Sequence, residues 1–327
     1  MRIGIVGAGV SGLGAAREAK KSGHDVVVFE SAAEVGGRCT TVSFDGFVFD
    51  AGATSIAPRK RLLESMMLTE LDTSDLIKLD KPIHVHQSLR ITSGDPMKGA
   101  VERYTYRQGN RRLPELLAEG LDVRCNRTID SIEKNGNGSY RLGGEEVDSI
   151  ILSAPVPQSQ HLLASVGEFR PVQNVRYRNC ISVLLGFDSP TPETKYHAII
   201  EPEQRHPLTW LSLESAKCPG RAPEGKCAMV AQMSPEFSRM NWEGPDDAIV
   251  HATCHYVHLL YGEQFENPLT SKVVRFPYSQ PEMTAMQDNV NRAGSKIVLA
   301  GDGLIGGRVE FAYESGVLAA RMLGGSA

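Results

Sequence analysis

The chain has 327 residues, 41% of them hydrophobic and 23% charged, with 35 Lys plus Arg against 39 Asp plus Glu and a formal charge of −4. That mixture suits one large or two modest domains, with a core that needs no disulfide or metal staple. It argues against nucleic acid as a partner, because phosphate binding needs a basic face. No run approaches the roughly 20 apolar residues of a membrane helix, so no membrane partner is expected. The six cysteines include no CxxC pair, which argues against a disulfide framework or a paired-cysteine zinc site.

The first elements are read together. Residues 2–6 (Arg-Ile-Gly-Ile-Val) form a short β-rich run, and Gly7-Ala8-Gly9-Val10-Ser11-Gly12 follows as G-x-G-x-x-G. Small residues continue at helical spacing as far as Gly23, a helix stop. Asp25 to Phe29 then reads as a buried parallel strand ending at Glu30. This is a βαβ unit with each part in place for a dinucleotide. Gly7 allows the tight turn, Gly9 lets backbone approach a pyrophosphate, and Gly12 lets the helix pack on the strand. The helix start offers free N–H groups to phosphates, and Glu30 can accept from a ribose. A nucleotide fold starting at residue 2 explains the apolar N-terminus better than a signal peptide, so a cytoplasmic location is expected.

Beyond Glu30 the chain reads Ser31-Ala-Ala-Glu-Val-Gly36-Gly37-Arg38, an E-x5-G-G-R pattern, and later Asp50-Ala-Gly-Ala53-Thr54. Here it resembles the flavin amine oxidase superfamily. The resemblance implies that Gly37 and Arg38 meet the FAD diphosphate and that Ala53 and Thr54 lie along the flavin ring. It also implies an α/β fold: a Rossmann-type FAD domain with an inserted α+β substrate domain built on an antiparallel sheet.

In the middle, 113–121 reads as an amphipathic helix and 122–133 as strands. A further strand pair surrounds the Gly143-Gly144 turn. By the resemblance, backbone near Ile129 would touch the adenine. From about 176 to 280, runs at 179–188, 196–201, 208–214, 226–233 and 271–278 read as about five antiparallel strands. One helix, 245–261, interrupts them. It carries His251, His255 and His258 at spacings that share a face, yet no H-E-x-x-H. A half-exposed polar face is the better reading than a metal site, and no metal is expected. The division expected is 1–80, 104–170 and 288–327 for the FAD domain, and 81–103 with 171–287 for the substrate domain.

At the C-terminus a strand ends in Gly301-Asp302, followed by Gly306-Gly307-Arg308-Val309-Glu310 and a helix rich in Ala and Gly. Its small residues would let it lie close to the cofactor or the sheet. In the superfamily Asp302 would sit near the phosphate and ribityl chain, and the helix start at Arg308, Val309 and Glu310 near the flavin pyrimidine. This ending resembles the renalase family. So do Arg275-Phe-Pro-Tyr278-Ser-Gln-Pro281 and the segment Thr209-Trp210-Leu211 with Lys217 and Pro219. Amine oxidases often place a lysine where this chain has Asn179, and renalases lack it.

The resemblance implies noncovalent FAD and a small-molecule substrate. Substrate would give a hydride to the flavin, and O2 would reoxidise it to release hydrogen peroxide. The substrate could be a 2- or 6-dihydro isomer of NAD(P), and Asn179, Tyr278, Thr54 and Trp210 are the cavity candidates. The alternative is an amine oxidase, or a dehydrogenase or isomerase of an apolar ring or polyene.

Overall fold

The computed structural model describes residues 1–59, 61–87, 89–94 and 101–324. Parts of the expected segments 1–80, 81–103 and 288–327 therefore lie outside the described residues.

Five parallel strands form the first sheet, in the order Ile297–Leu299, Ser149–Leu152, Arg2–Val6, Asp25–Phe29 and Asp122–Arg124. The strands are nearly continuous apolar runs because both faces are covered. On one face Ile3, Ile5 and Val28 pack against Leu13 of the helix Val10–Lys21, Leu113 of Arg112–Ala118, and Tyr313 and Val317 of Val309–Gly324. On the other, Val27, Phe29 and Leu152 meet Leu142 and Val147 of a small antiparallel meander and Leu162 of the helix Val156–Ala164. The result is a three-layer doubly wound unit.

The second sheet has seven strands in the order Thr270–Met283, Arg176–Phe187, Cys227–Met233, Leu208–Leu213, Ala198–Ile200, Ile83–Gln87 and Arg90–Thr92. All neighbours are antiparallel except Ala198–Ile200 with Ile83–Gln87. Strand alternation sorts its side chains. Ile181, Val183 and Leu185 face the helix Asp246–Tyr261, whereas Leu184 faces Phe47 and Phe49 of the hairpin Thr41–Phe44/Phe47–Asp50.

The sheet is larger than the five strands read from sequence. The two extra strands carry His84 and His86 between their aliphatic residues, and Leu89 makes a positive-φ turn at 66° where glycine would be the usual signal. The C-terminal helix packs closely on more than one neighbour. Ala312 lines the cavity, and Ala319 and Ala320 share a cluster with Ile151 and Val298 of the first sheet. The helix also crosses the N-terminal helix, which the sequence did not suggest: a Cβ on Gly316 would stand 1.9 Å from the Ser11 carbonyl oxygen, and one on Gly14 would stand 2.9 Å from the Tyr313 ring.

Candidate active site

The glycine loop is built by backbone constraints. Gly7 has φ 99° and donates its N–H to the Phe29 carbonyl at 2.8 Å. A Cβ at Gly12 would lie 1.9 Å from the Gly7 carbonyl oxygen, so only glycine lets the helix start this close to the strand. Gly9, by contrast, has only the Gly36 carbonyl oxygen near its Cβ position, at 4.0 Å, and forms a bridge with Gly36, which brings the second glycine pair back to the first. The helix Val10–Lys21 has no side-chain cap, so its first N–H groups are left for an anion. The buried Ser11 hydroxyl beside them has no hydrogen-bond partner.

Glu30 is buried at the strand end. One oxygen accepts from Ala8 N at 2.7 Å and the other from Ala32 N at 2.9 Å and the Ser31 hydroxyl at 3.2 Å. Arg38 makes a fork to Asp302, with contacts of 2.5 and 2.9 Å, and donates to the carbonyls of Tyr278 and Ser279. Burial lowers the basicity of this guanidinium, but Asp302 more than offsets that, and its pKa is raised. Arg38 and Asp302 thus hold each other in place.

These groups open onto one cavity of about 1590 Å³. That exceeds the roughly 300–1,000 Å³ of an ordinary ligand pocket and leaves room for a dinucleotide beside a second molecule. Its walls include Gly7, Gly9, Val10, Ser11, Glu30, Ser31, Gly37, Arg38, Ala53, Thr54, Ile129, Gly301, Asp302, Arg308, Val309 and Glu310, together with Trp210 and Tyr278 of the second sheet.

Two expected site residues fall outside it. Gly12 serves the helix–strand contact expected of it and does not line the wall, because the Gly7 carbonyl fills the space in front of it. Asn179 is also absent from the wall, where its neighbour Arg178 stands instead, with a hydrogen bond to Gln280. The cause is a bulge. Arg178 pairs with Gln280 and Cys180 with Phe276, so three residues oppose the single Asn179. Pro277, Tyr278 and Ser279 bow into the cavity as a result. Pro277 inside a strand was the one available signal for this.

The segment from Asp50 to Thr54 is fixed from behind. Gln232 donates to the Gly52 carbonyl at 2.7 Å. Lys217 donates to the Thr54 carbonyl at 2.9 Å and pairs with Asp50 and Glu214, each at 2.7 Å. Arg221 pairs with the same two carboxylates at 3.0 and 3.1 Å, and all four side chains are fully buried. Burial alone would raise the Asp50 pKa, but Lys217 and Arg221 hold it below the usual carboxylate range. Reading the sequence missed this network and the wall residues Arg59, Arg103 and Gln232.

The helix face with His251, His255 and His258 is exposed to half-exposed. Among the described residues, no group of three or more His, Cys, Asp or Glu side chains is placed to hold a metal ion, and no helix is long and apolar enough to cross a membrane.

A doubly wound unit with a glycine loop, joined to a large mixed sheet by a shared cavity, defines the class: a dinucleotide-binding protein. The comparisons with known proteins narrow it. Residues 71–323 match the family of flavin containing amine oxidoreductases, and residues 5–68 match an NAD(P)-binding Rossmann-like domain. The chain belongs to the flavin-containing amine oxidoreductases; it is an FAD-dependent oxidoreductase, and FAD is its cofactor.

Similar folds include a protein of Exiguobacterium sp. 255-15 provisionally named protoporphyrinogen oxidase, at TM-score 0.77 and 16% identity over 100% of this chain and 99% of that one. Cyclohexylamine oxidase from Brevibacterium oxydans IH-35A is similar at TM-score 0.72 and 12% identity, over 99% and 98% of the two chains. Among curated proteins, a 4,4'-diapophytoene desaturase of Staphylococcus aureus is 46% identical over 56 residues, which is 17% of this chain and 11% of the desaturase.

The residues present fit FAD. The orphaned Ser11 hydroxyl, the uncapped helix start and the room at Gly9 suit a diphosphate. Glu30 at the strand end suits a ribose.

Proposed function

We propose that the protein is an oxidase of renalase type, acting on 2- or 6-dihydro isomers of NAD(P), with O2 as electron acceptor and FAD held noncovalently. When bound, FAD supplies hydride acceptance from the substrate and reoxidation by oxygen to hydrogen peroxide. The chain's own residues bind, orient and exclude water. Gly7, Gly9, Val10, Ser11, Gly37 and Arg38 would hold the diphosphate, Glu30 and Ser31 the ribose, and Ile129 the adenine side. Ala53, Thr54, Gly301, Asp302 and the helix start at Val309 would flank the ring. The segments 81–103 and 171–287 would form the substrate domain, with Trp210 and Tyr278 facing the substrate.

The observation that carries this reading is the continuous cavity, which runs from the glycine loop to Trp210 and Tyr278. Lys217, tied to two buried carboxylates, is not free to serve as a base on an amine. Hydride removal from an already reduced ring requires no such base.

The test is anaerobic flavin absorbance with separated 2-, 4- and 6-dihydro isomers of NAD and NADP. Bleaching by the 2- or 6-isomers and not by the 4-isomer, with peroxide on admitting air, is expected. If no isomer bleaches the flavin, this substrate class is wrong and amines or apolar ring compounds take its place.

A further inference from the structure

Three arginines stand together on the cavity wall, and two of them reach one carboxylate. Arg59 Nε lies 3.2 Å from Glu310 Oε1, and Arg308 lies 4.0 Å from the same oxygen. Arg103 stands on the same wall with no hydrogen bond or ion pair to another described side chain. Burial followed by the fields of Arg59 and Arg308 lowers its pKa, while Glu310 opposes the fall. Arg59 is lowered in the same way, by burial and then by Arg308. Arg61, close by, is neutralised by Glu314.

Three positive charges on one negative leave a local excess in a chain whose formal charge is −4. Mutual repulsion of this kind persists only where something offsets it. Arg59 also adopts φ 53°, a left-handed conformation rare for a long side chain. The other wall arginines differ, since Arg38 is forked to Asp302 and Arg178 is bonded to Gln280. Arg103 is next to the substrate-side wall, because its carbonyl accepts from Leu79 N at 2.8 Å, and Leu79 and Lys81 line the same region.

We propose that Arg59, Arg103 and Arg308 form a second oxyanion subsite, distinct from the glycine loop, which holds a phosphate or carboxylate carried by the substrate. The proposal rests on the reading that this part of the cavity takes substrate. Glu310 serves to align Arg59 and Arg308. A planar guanidinium fork matches either oxyanion, and a pair of such forks favours a group with two or more negative charges.

The test is calorimetric titration of the FAD-loaded protein at fixed ionic strength, with inorganic pyrophosphate as one probe and succinate as the other. Wild type is compared with Arg59→Met, Arg103→Met and the charge-conserving Arg103→Lys, and bound flavin is measured in each. Binding that weakens about tenfold in both Met variants, less in Arg103→Lys, with flavin content unchanged, is the expected result. Dependence for pyrophosphate points to a phosphate, and dependence for succinate alone points to a carboxylate.

Absence of binding by both probes, or equal binding in all variants, overturns the subsite. So does loss of flavin from the Met variants, which would assign the arginines to the cofactor. If the probes bind as expected while no dihydronicotinamide isomer bleaches the flavin, the subsite stands and the substrate class fails.

Discussion

His197 couples the fold to pH through a single imidazole. Its Nδ1–H donates to the Lys81 carbonyl at 2.6 Å, and its buried Nε2 has no partner. Burial, aided by the charges of Lys217, Arg103 and Lys81, pushes its pKa down to about 4. An unfolded histidine titrates near 6.5. Between those values the unfolded chain takes up a proton that the folded chain refuses, so stability falls as pH drops through that window. At about 1.4 kcal/mol per pH unit, the loss is roughly 3 kcal/mol. A His197→Gln variant keeps an amide donor and removes the titration. Urea unfolding at pH 7, 5.5 and 4 should show wild type losing that amount relative to the variant. Parallel pH curves for the two chains would refute it. Asp50 acts in a lower window, because its depressed pKa supports the fold above about pH 4 and that support is lost as it protonates.

At the scale of elements, the crossing of the first and last helices carries the site. Gly316 lets the C-terminal helix approach until its Cα faces the Ser11 carbonyl, and Ser11 also presents the free hydroxyl at the glycine loop. An alanine at 316 would push a methyl into backbone that cannot swing away. Gly316→Ala should therefore cost roughly 1–3 kcal/mol in urea unfolding and weaken FAD uptake, read as flavin absorbance per protein. Gly136→Ala is the control, since nothing lies within 4 Å of a Cβ there. It should stay within about 0.5 kcal/mol of wild type. Unchanged flavin uptake in Gly316→Ala would separate the helix crossing from the cofactor loop.

The whole molecule joins two sheets through one cavity, and the sequence reveals the first sheet better than the second. Gly7, Gly9 and Gly12, with Glu30 at the strand end, are local and evenly spaced, so the nucleotide unit is legible from about thirty residues. The bulge that swaps Asn179 for Arg178 depends on pairing across almost a hundred residues, and only Pro277 hints at it. Nothing in the local sequence marks Glu214, Lys217 and Arg221 as buried. Their burial comes from Asp50, more than 160 residues away. That same network binds the segment from Asp50 to Thr54 on the cavity wall to the second sheet, so the two sheets and a cofactor held between them should unfold together. A ligand at 100 times its dissociation constant stabilises by about 2.7 kcal/mol, which corresponds to roughly 5 °C in a chain of this size. Flavin-loaded protein should melt in one transition about that much above the flavin-free chain. Ellipticity and flavin release should share a midpoint, because the cavity walls come from both sheets. Two transitions, of which FAD raises only the first, would show that the buried ion network does not couple the halves.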